Sequence, residues 1–340
     1  MLRIALVTDS GKSMLAQLDP HSRLRNEVTR NAVFNALVEL GHEVEIIEVG
    51  PNLLNKIEAA YPDAIFNLAT GYKSKKQQAN IAAMLELTDI PFTGSGLKAH
   101  TIAMHKDISK MIFQANEIST PRFAVFNDAQ ELGACSWKKE LPFPVVVKPA
   151  AEGSSIGIYS HSVTCCSAKV KELAFELLDT VGGPILVEEF ISGREFTVAL
   201  VGYPEPIVLP IEEIVFHDEV LYTYEAKASD NVTPICPAEI PIELARDIQD
   251  MARKAFKSVG CRDIARVDLR VSEDGIPYVL EINTLPGLTP GYSEVPKIAE
   301  AANIRYQELI GLILKGALKR REQSQTENGE HKSSVSEKPN

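Results

Sequence analysis

The chain has 340 residues, of which 45% are hydrophobic and 24% are charged. This length exceeds the usual size of a single domain, so we expect two or three domains with ordinary globular cores. The formal net charge is −11, which argues against nucleic acid as a partner because nucleic-acid-binding proteins usually present a basic face. The five cysteines include no CxxC pair, so we expect neither a disulfide framework nor a zinc site.

The apolar runs of the chain favour a cytoplasmic protein. The run within the first eleven residues is too short for the hydrophobic region of a signal peptide and is typical of a buried strand. No stretch approaches the ~18–20 apolar residues that a membrane helix requires. We therefore expect a cytoplasmic location and no membrane partner.

The first third of the chain alternates strand and helix patterns. Strands are predicted at Leu2–Thr8, Glu43–Val49 and Ala64–Leu68, and helices at Arg25–Leu40 and Gln78–Leu87. This alternation with short connections is typical of a parallel sheet covered on both faces. We predict an α/β domain over residues 1–104.

After residue 105 the strand patterns follow a hairpin-like spacing, which predicts two α+β units over residues 105–188 and 189–321. The first unit is expected to contain strands Phe123–Phe126, Val145–Lys148, Ile156–Tyr159 and Ile185–Glu189 with helix Ala168–Asp179. The second is expected to contain strands Glu195–Val201, Ile207–Glu213, Arg266–Val271 and Pro277–Ile282 with helices Ile242–Val259 and Tyr306–Arg321. Residues 322–340 are polar and are expected to be disordered.

Two strand patterns near the C-terminus carry the most informative charged residues. Strand alternation places Asp268 on one face of its strand, and Glu281 and Asn283 together on one face of the next. Pairing of the strands would bring the three side chains to one point, an oxygen-rich set that suits Mg²⁺, or Mn²⁺ in its place. Glu281 could bridge two such ions, as phosphoryl-transfer sites often need. The alternative is a solvated strand face on which charged residues alternate by default.

A strand that ends in Lys148 is followed by a loop of small residues that includes Ser154 and Ser155. Backbone amides and hydroxyls of such a loop can approach phosphate oxygens closely, and the lysine would add a point charge. The loop lacks the Walker A pattern, and a plain hairpin loop is the alternative. Further on, the backbone of Leu186–Ile191 could bind an adenine edge, and Glu195 is placed for ribose hydroxyls or is an ordinary exposed turn carboxylate.

Together these segments resemble the D-alanine–D-alanine ligase family of ATP-grasp enzymes over roughly residues 84–315. Six blocks occur in family order: Met84–Leu87 with Pro91–Gly96, Lys148–Pro149 with Glu152–Gly157, Glu188 with Gly193–Val198, Tyr224–Lys227, Arg266–Asp268, and Glu281–Gly287. The resemblance implies an α/β, three-domain ATP-grasp architecture. In it, an N-terminal parallel-sheet domain precedes two α+β domains that clasp ATP. Dimers are common in the family, so a homodimer is one expected assembly.

The resemblance also implies a role for each matching residue. Lys106 and Lys148 would bind the phosphates of ATP, and the loop with Ser154 and Ser155 would cover them. Glu188 and Ile191 would flank the adenine, and Glu195 would hold the ribose. The ligands of Mg²⁺ would be Asp268, Glu281 and Asn283. Lys227, on the loop around Tyr224, would neutralise the γ-phosphate, and Arg266 with the amide of Gly287 would stabilise the oxyanion. A substrate carboxylate would attack the γ-phosphate to give an acyl phosphate, and an amine would then displace phosphate.

The donor end departs from the family pattern. There, a glutamate of an N-terminal Gly-rich loop holds the ammonium of the first D-alanine, whereas alignment on Glu27 places Arg25 at that position. An arginine repels an ammonium but suits a second carboxylate or a phosphate. The basic segment with Lys73, Lys75 and Lys76, which replaces an acidic Gly-rich turn, points the same way or is an exposed turn. Asp9 and Glu27 are the acidic candidates to replace the glutamate.

The acceptor end is better kept, because Lys227 and Ser293 match residues that hold the second D-alanine's carboxylate. Ala228 stands where a tyrosine is expected, and Glu294 stands where the family has an apolar residue. Three hypotheses follow. The chain is a D-alanine–D-alanine ligase that feeds peptidoglycan, a paralogue that joins a different acid to an amino acid, or a non-catalytic ATP-binding protein, which the preserved site residues disfavour.

Overall fold

A computed structural model describes residues 1–10, 20–72, 77–134, 141–152, 157–217 and 232–335. The N-terminal region holds a three-stranded sheet in the order β2–β1–β3, with both pairs parallel. Its elements are β1 (Arg3–Thr8), α1 (Pro20–Glu39), β2 (Glu43–Glu48), α2 (Leu53–Ala60), β3 (Ala64–Asn67), α3 (Gln78–Glu86) and α4 (Leu97–Met104). Five consecutive residues of β1 are buried, as expected for the central strand of a sheet covered on both faces. The predicted parallel sheet is confirmed.

The central region is a four-stranded antiparallel sheet in the order β4–β7–β5–β6. Its elements are α5 (Lys106–Ala115), β4 (Phe123–Phe126), α6 (Ala129–Ala134), β5 (Val145–Pro149), β6 (Val163–Thr164), α7 (Ser167–Thr180) and β7 (Ile185–Glu189). Helix α7 buries Val170, Leu173 and Leu177, and this helical spacing places them on the one face that covers the sheet.

The strand predicted at Ile156–Tyr159 is wrong for its described residues 157–159. The partner of β5 is instead the two-residue strand β6. Gly157 has a φ of +75°, and a Cβ there would lie 2.8 Å from Pro149 Cγ. The left-handed glycine turns the chain against Pro149 and ends the extended run.

The C-terminal region is a five-stranded antiparallel sheet in the order β10–β9–β8–β11–β12. Its elements are β8 (Gly193–Gly202), β9 (Ile207–Phe216), β10 (Val232–Ile235), α8 (Ile242–Val259), β11 (Asp263–Ser272), β12 (Pro277–Asn283), α9 (Glu294–Ala301) and α10 (Tyr306–Val335). Helix α8 packs on one face of this sheet. Helices α9 and α10 pack on the other face together with α1. No helix in the described ranges combines the length and apolarity needed to cross a membrane.

The expected disorder from residue 322 is a second correction, because α10 continues to Val335. The helix is anchored by buried Leu309, Ile313 and Leu314. The sequence beyond is rich in Arg, Glu and Gln, which have high helix propensity and extend a helix that packing has already nucleated.

One carboxylate ties the regions together at the start of β11. Asp263 is 0% exposed and accepts a hydrogen bond of 2.8 Å from the Gly94 amide of the N-terminal region. It also pairs with Arg320 of α10. The strand that carries Asp268 is therefore fixed against both the first domain and the last helix.

Candidate active site

The strand register brings the predicted metal-binding residues together. In the β11–β12 pair, Asp268 lies opposite Glu281 and Arg266 lies opposite Asn283. The Asn283 amide nitrogen is 2.8 Å from Asp268 Oδ2 and 3.4 Å from Glu281 Oε1. The Asp268 side chain is 15% exposed and that of Glu281 28%, so the alternative of a solvated strand face is wrong. The predicted convergence is confirmed.

Asp268 is the centre of this cluster. Its Oδ1 accepts hydrogen bonds from Thr197 Oγ1 at 2.6 Å and Arg266 Nε at 2.9 Å, and its Oδ2 accepts from Arg266 Nη2 at 2.8 Å. Burial disfavours the Arg266 charge, but Asp268 outweighs it, helped by Glu294 and Glu281, and the pKa of Arg266 lies above its ordinary value. The guanidinium is therefore a fixed positive charge within the cleft.

The donor set fits a hard divalent cation. Rotation of the Asn283 amide by 180° would present its oxygen and withdraw the N–H groups that now occupy Asp268 Oδ2 and Glu281 Oε1. Two carboxylates and one amide oxygen suit Mg²⁺. The described parts of the chain contain no group of three or more His, Cys, Asp or Glu side chains placed to hold a metal ion, and this site reaches three ligands only through the amide of Asn283.

Lys106 connects the central region to this cluster. It is the first residue of α5 and is 6% exposed. Its Nζ lies 3.2 Å from Glu281 Oε2 and donates to the carbonyl of Glu152, at the edge of the small-residue loop. The lysine predicted to bind phosphate thus lies between the main chain of Glu152 and the carboxylate of Glu281.

A second cluster of charged side chains, two lysines around one carboxylate, lies deeper in the central region. Glu188 is 2% exposed, with Lys148 Nζ 2.5 Å from its Oε1 and Lys110 Nζ 2.9 Å from its Oε2. Burial lowers the pKa of Lys110 to about 8, against the opposing charge of Glu188. For Glu188 itself burial is outweighed by Lys110 and Lys148, and its pKa is lowered. Sequence reasoning missed Lys110, although its position four residues after Lys106 on one helix face could have indicated it.

The residues expected near adenine and ribose lie just after Glu188 in the chain. Ile191 is 6% and Glu195 8% exposed, so the alternative of an exposed turn carboxylate at Glu195 is wrong. Arg270 lies 3.5 Å from Glu195, and its guanidinium carbon lies 4.6 Å from the centroid of the Phe190 ring. Arg270 therefore fixes the carboxylate predicted to hold ribose.

The predicted donor and acceptor residues meet where α1 contacts the loop before α9. Arg25 lies over the ring of Tyr292, 5.3 Å from its centroid, and Tyr292 precedes Ser293 in sequence. Ser293 is 6% exposed, and a Cβ on Gly287 would lie 2.6 Å from its Oγ. The loop thus packs tightly at Gly287, and Arg25 of α1 contacts it at Tyr292.

Asp9 and Glu27, the acidic candidates for binding the donor's ammonium, each bind groups outside the loop that Arg25 contacts. Both carboxylate oxygens of Asp9 accept hydrogen bonds from Thr70 or Gly71, which fixes the loop after β3. Glu27 forms an ion pair of 3.2 Å with Arg23, and both side chains are substantially exposed. Ser154, Ser155, Tyr224 and Lys227 lie outside the described residues, as do Lys73, Lys75, Lys76 and Ala228.

Two acidic residues of this site were not assigned a role from the sequence. Glu294 Oε2 accepts a 3.1 Å hydrogen bond from Arg266 Nη1. Glu212 of β9 lies opposite Thr197, is 1% exposed, and its Oε1 accepts no hydrogen bond from a described residue. Burial, and then the charge of Glu294, raise the pKa of Glu212 to about 7. The signal was the pair of acidic residues, Glu212 and Glu213, within an apolar strand.

A parallel-sheet domain followed by two α+β units, with lysines of one facing carboxylates of the other, defines the ATP-grasp class. The family model "D-ala D-ala ligase C-terminus" matches residues 112–315. A D-alanine–D-alanine ligase of Gloeobacter violaceus is 34% identical over 90% of this chain and 99% of its own length. A protein of Sinorhizobium fredii, "Uncharacterized protein y4sG", is 36% identical over 85% of this chain and 87% of its own.

Solved structures agree with these sequence relatives. A Bacillus anthracis D-alanine–D-alanine ligase, solved in complex with ATP, superposes with a TM-score of 0.76 at 26% identity. The superposition covers 95% of this chain and all of that one. The chain belongs to the D-alanine–D-alanine ligase family.

Proposed function

We propose that the protein is an ATP-dependent ligase that joins the carboxylate of one amino acid to the amine of another, with D-alanine as donor and acceptor. The convergence of Asp268, Glu281 and Asn283 beside Lys106 carries this proposal. The relatives named D-alanine–D-alanine ligase support the substrate. A role in peptidoglycan synthesis follows from that family.

The chemistry has two steps. The donor carboxylate attacks the γ-phosphate of ATP, and the bond between that phosphorus and the bridging oxygen of ADP breaks to give an acyl phosphate. The amine then attacks the acyl carbon, phosphate leaves with the C–O bonding pair, and the amine loses a proton as the amide forms. The protein contributes by positioning the reactants, neutralising charge and excluding water from the acyl phosphate.

Each described residue has a defined part in this scheme. Lys106 and Lys148 hold phosphate oxygens, and Glu195, which Arg270 fixes, holds ribose. Adenine packs at Ile191, and main-chain groups at Glu188 bind its edge, since the Glu188 carboxylate is engaged by two lysines. Asp268, Glu281 and Asn283 would hold Mg²⁺, or Mn²⁺, which when bound would neutralise charge on the transferred phosphoryl group. Arg266 and the Gly287 amide stabilise the oxyanion of the second step.

Four residues outside the described ranges complete the proposal. Ser154 and Ser155 cover the phosphates, and Lys227, on the loop around Tyr224, neutralises the γ-phosphate. Ser293 holds the acceptor carboxylate with Lys227. The partners are small-molecule acids and amino acids rather than nucleic acid or membrane, and we propose a cytoplasmic homodimer with domains 1–104, 105–188 and 189–321.

One observation favours a second candidate, a ligase for a different acid. Arg25 packs beside the loop of Ser293, while Asp9 and Glu27 are engaged elsewhere. An arginine at this place suits a donor that carries a second anionic group rather than an ammonium.

A phosphate-release screen tests both candidates. The purified chain is incubated with ATP, Mg²⁺ and pools of D-amino acids, L-amino acids and other acids. Turnover of D-alanine alone supports the first candidate, and turnover of a diacid or phosphorylated acid supports the second. In the second case Arg25→Glu should lower turnover at least about tenfold while the exposed Arg23→Glu leaves it unchanged. The absence of phosphate release with every pool would refute both.

A further inference from the structure

The guanidinium of Arg266 is clamped between two carboxylates. Nε and Nη2 donate to Asp268 at 2.9 and 2.8 Å, and Nη1 donates to Glu294 at 3.1 Å. An arginine has five N–H groups, so these three bonds leave two for a substrate oxygen. The Arg266 side chain is 15% exposed, and the clamp therefore decides where its remaining donors point.

The two carboxylates that bind Arg266 differ in how many other groups they bind. Asp268 also accepts from Thr197 and Asn283 and belongs to the set proposed to bind Mg²⁺, so its oxygens are shared among several partners. Glu294 Oε2 accepts only the Arg266 hydrogen bond among the described residues. Glu294 is thus the partner whose hold on the guanidinium does not depend on the metal.

Helix α9 and β9 determine the direction of the Glu294 side chain. Glu294 is the first residue of α9, where the helix dipole favours a negative charge. The helix is fixed by the buried residues Val295 and Ile298. The helix packs on β9, where the charged groups that act on the buried carboxyl of Glu212 are Glu294, Lys297, Arg266 and Asp268. The opposite charge that Glu294 contacts is that of Arg266, at 3.1 Å, and this ion pair sets the direction of its side chain.

We propose that Glu294 is a positioning residue for the second chemical step. It holds Arg266 over the reacting carbonyl from the acceptor side. This inference rests on the ligase function proposed above. Only the second step forms a tetrahedral oxyanion at carbon, so a misplaced Arg266 slows amide formation and leaves attack on ATP unaffected. The acyl phosphate then persists and is lost to water.

The test compares ADP and amide formed by the wild type, Glu294→Gln and Glu294→Leu. The substrates are D-alanine with D-alanine, or the pair that the screen identifies. The matched control is Glu300→Gln, an exposed position on the same helix. We expect both Glu294 variants to form amide about tenfold to hundredfold more slowly, since small misplacements of catalytic groups have effects of this size. The ratio of ADP to amide should rise well above one, with the KM for ATP unchanged.

Three outcomes would overturn the inference. The first is that both variants form amide at the wild-type rate, and the second is that they lose ADP and amide formation equally. The third is that Glu294→Gln slows amide formation by the same factor in an Arg266→Ala background as it does in the wild type. The last comparison separates an action through Arg266 from an independent one. A wild type that forms no ADP with any acid would instead refute the ligase function itself, and the two failures are therefore distinguishable.

Discussion

The buried charge cluster of the central sheet gives the most stringent test of the structure. Glu188 is 2% exposed and lies between Lys148 and Lys110, which is 0% exposed. Glu188→Gln keeps the shape of the side chain but leaves two buried ammonium groups without the carboxylate that they share. Loss of one partner of a buried ion pair typically costs about 3–5 kcal/mol. The pKa of Lys110 is already about 8, so this lysine can release its proton, and we expect a cost near the lower value.

The stability of Glu188→Gln should also change with pH, in a direction that a loss of packing alone would not produce. In the wild type the pKa of Lys110 falls from 10.5 in the unfolded chain to about 8. The unfolded chain binds more protons between these values, and stability rises with pH across this window. Without Glu188 the folded pKa falls further, so stability should already rise between pH 6 and 8.

Urea denaturation at several pH values, with hydrogen exchange of β5 and β7, measures both effects. The control is Glu189→Gln, because Glu189 is the next residue and pairs at 3.3 Å with the exposed Arg122. A surface pair of this kind contributes about 0–1 kcal/mol. If Glu188→Gln costs no more than Glu189→Gln, or if its stability relative to the wild type does not rise between pH 6 and 8, the assignment of a buried three-charge cluster is wrong.

Two further substitutions probe other parts of the fold. Burial, and then Glu294, raise the pKa of Glu212 from 4.5 to about 7. The folded state therefore binds the extra proton between these values, and stability falls as pH rises through them. Glu212→Gln should remove this fall and add roughly 2–3 kcal/mol at pH 8 in urea titrations; an unchanged pH profile would contradict this. Gly193 has a φ of +133°, and a Cβ would lie 2.1 Å from a main-chain oxygen. Gly193→Ala should cost about 3 kcal/mol or more in thermal denaturation, against about 1 kcal/mol for the open turn residue Gly275→Ala; equal costs would refute the steric argument.

Local patterns were sufficient to predict the parallel sheet and the convergence of Asp268, Glu281 and Asn283. Alternation along β11 and β12 predicted which side chains share a face of each strand, because the side-chain period of a strand is two. The register itself came from the structure, where Asp268 lies opposite Glu281. The error at Ile156–Tyr159 arose because the left-handed conformation of Gly157 depends on packing against Pro149 rather than on the apolar pattern.

The sequence did not predict ion pairs between residues that are far apart in the chain. Lys110 meets Glu188, 78 positions later in the chain, and Arg266 meets Glu294 across the turn before α9. These pairings depend on how separate elements pack, and local spacing could at most have singled out Lys110, which lies four residues after Lys106. The extent of α10 was missed for a related reason. A polar sequence is typical of disorder when isolated, but here it continues a helix whose earlier turns are anchored in the core.

Strand β11 serves several tasks within ten residues. Asp263 fastens the first domain and the last helix, Arg266 and Asp268 face the reaction cleft, and Arg270 supports Glu195. Because a shift by one residue turns every side chain of a strand to its opposite face, a single insertion or deletion here would displace all of these groups at once. Homologous proteins should therefore vary in length in the connections on either side and tolerate only replacements inside the strand.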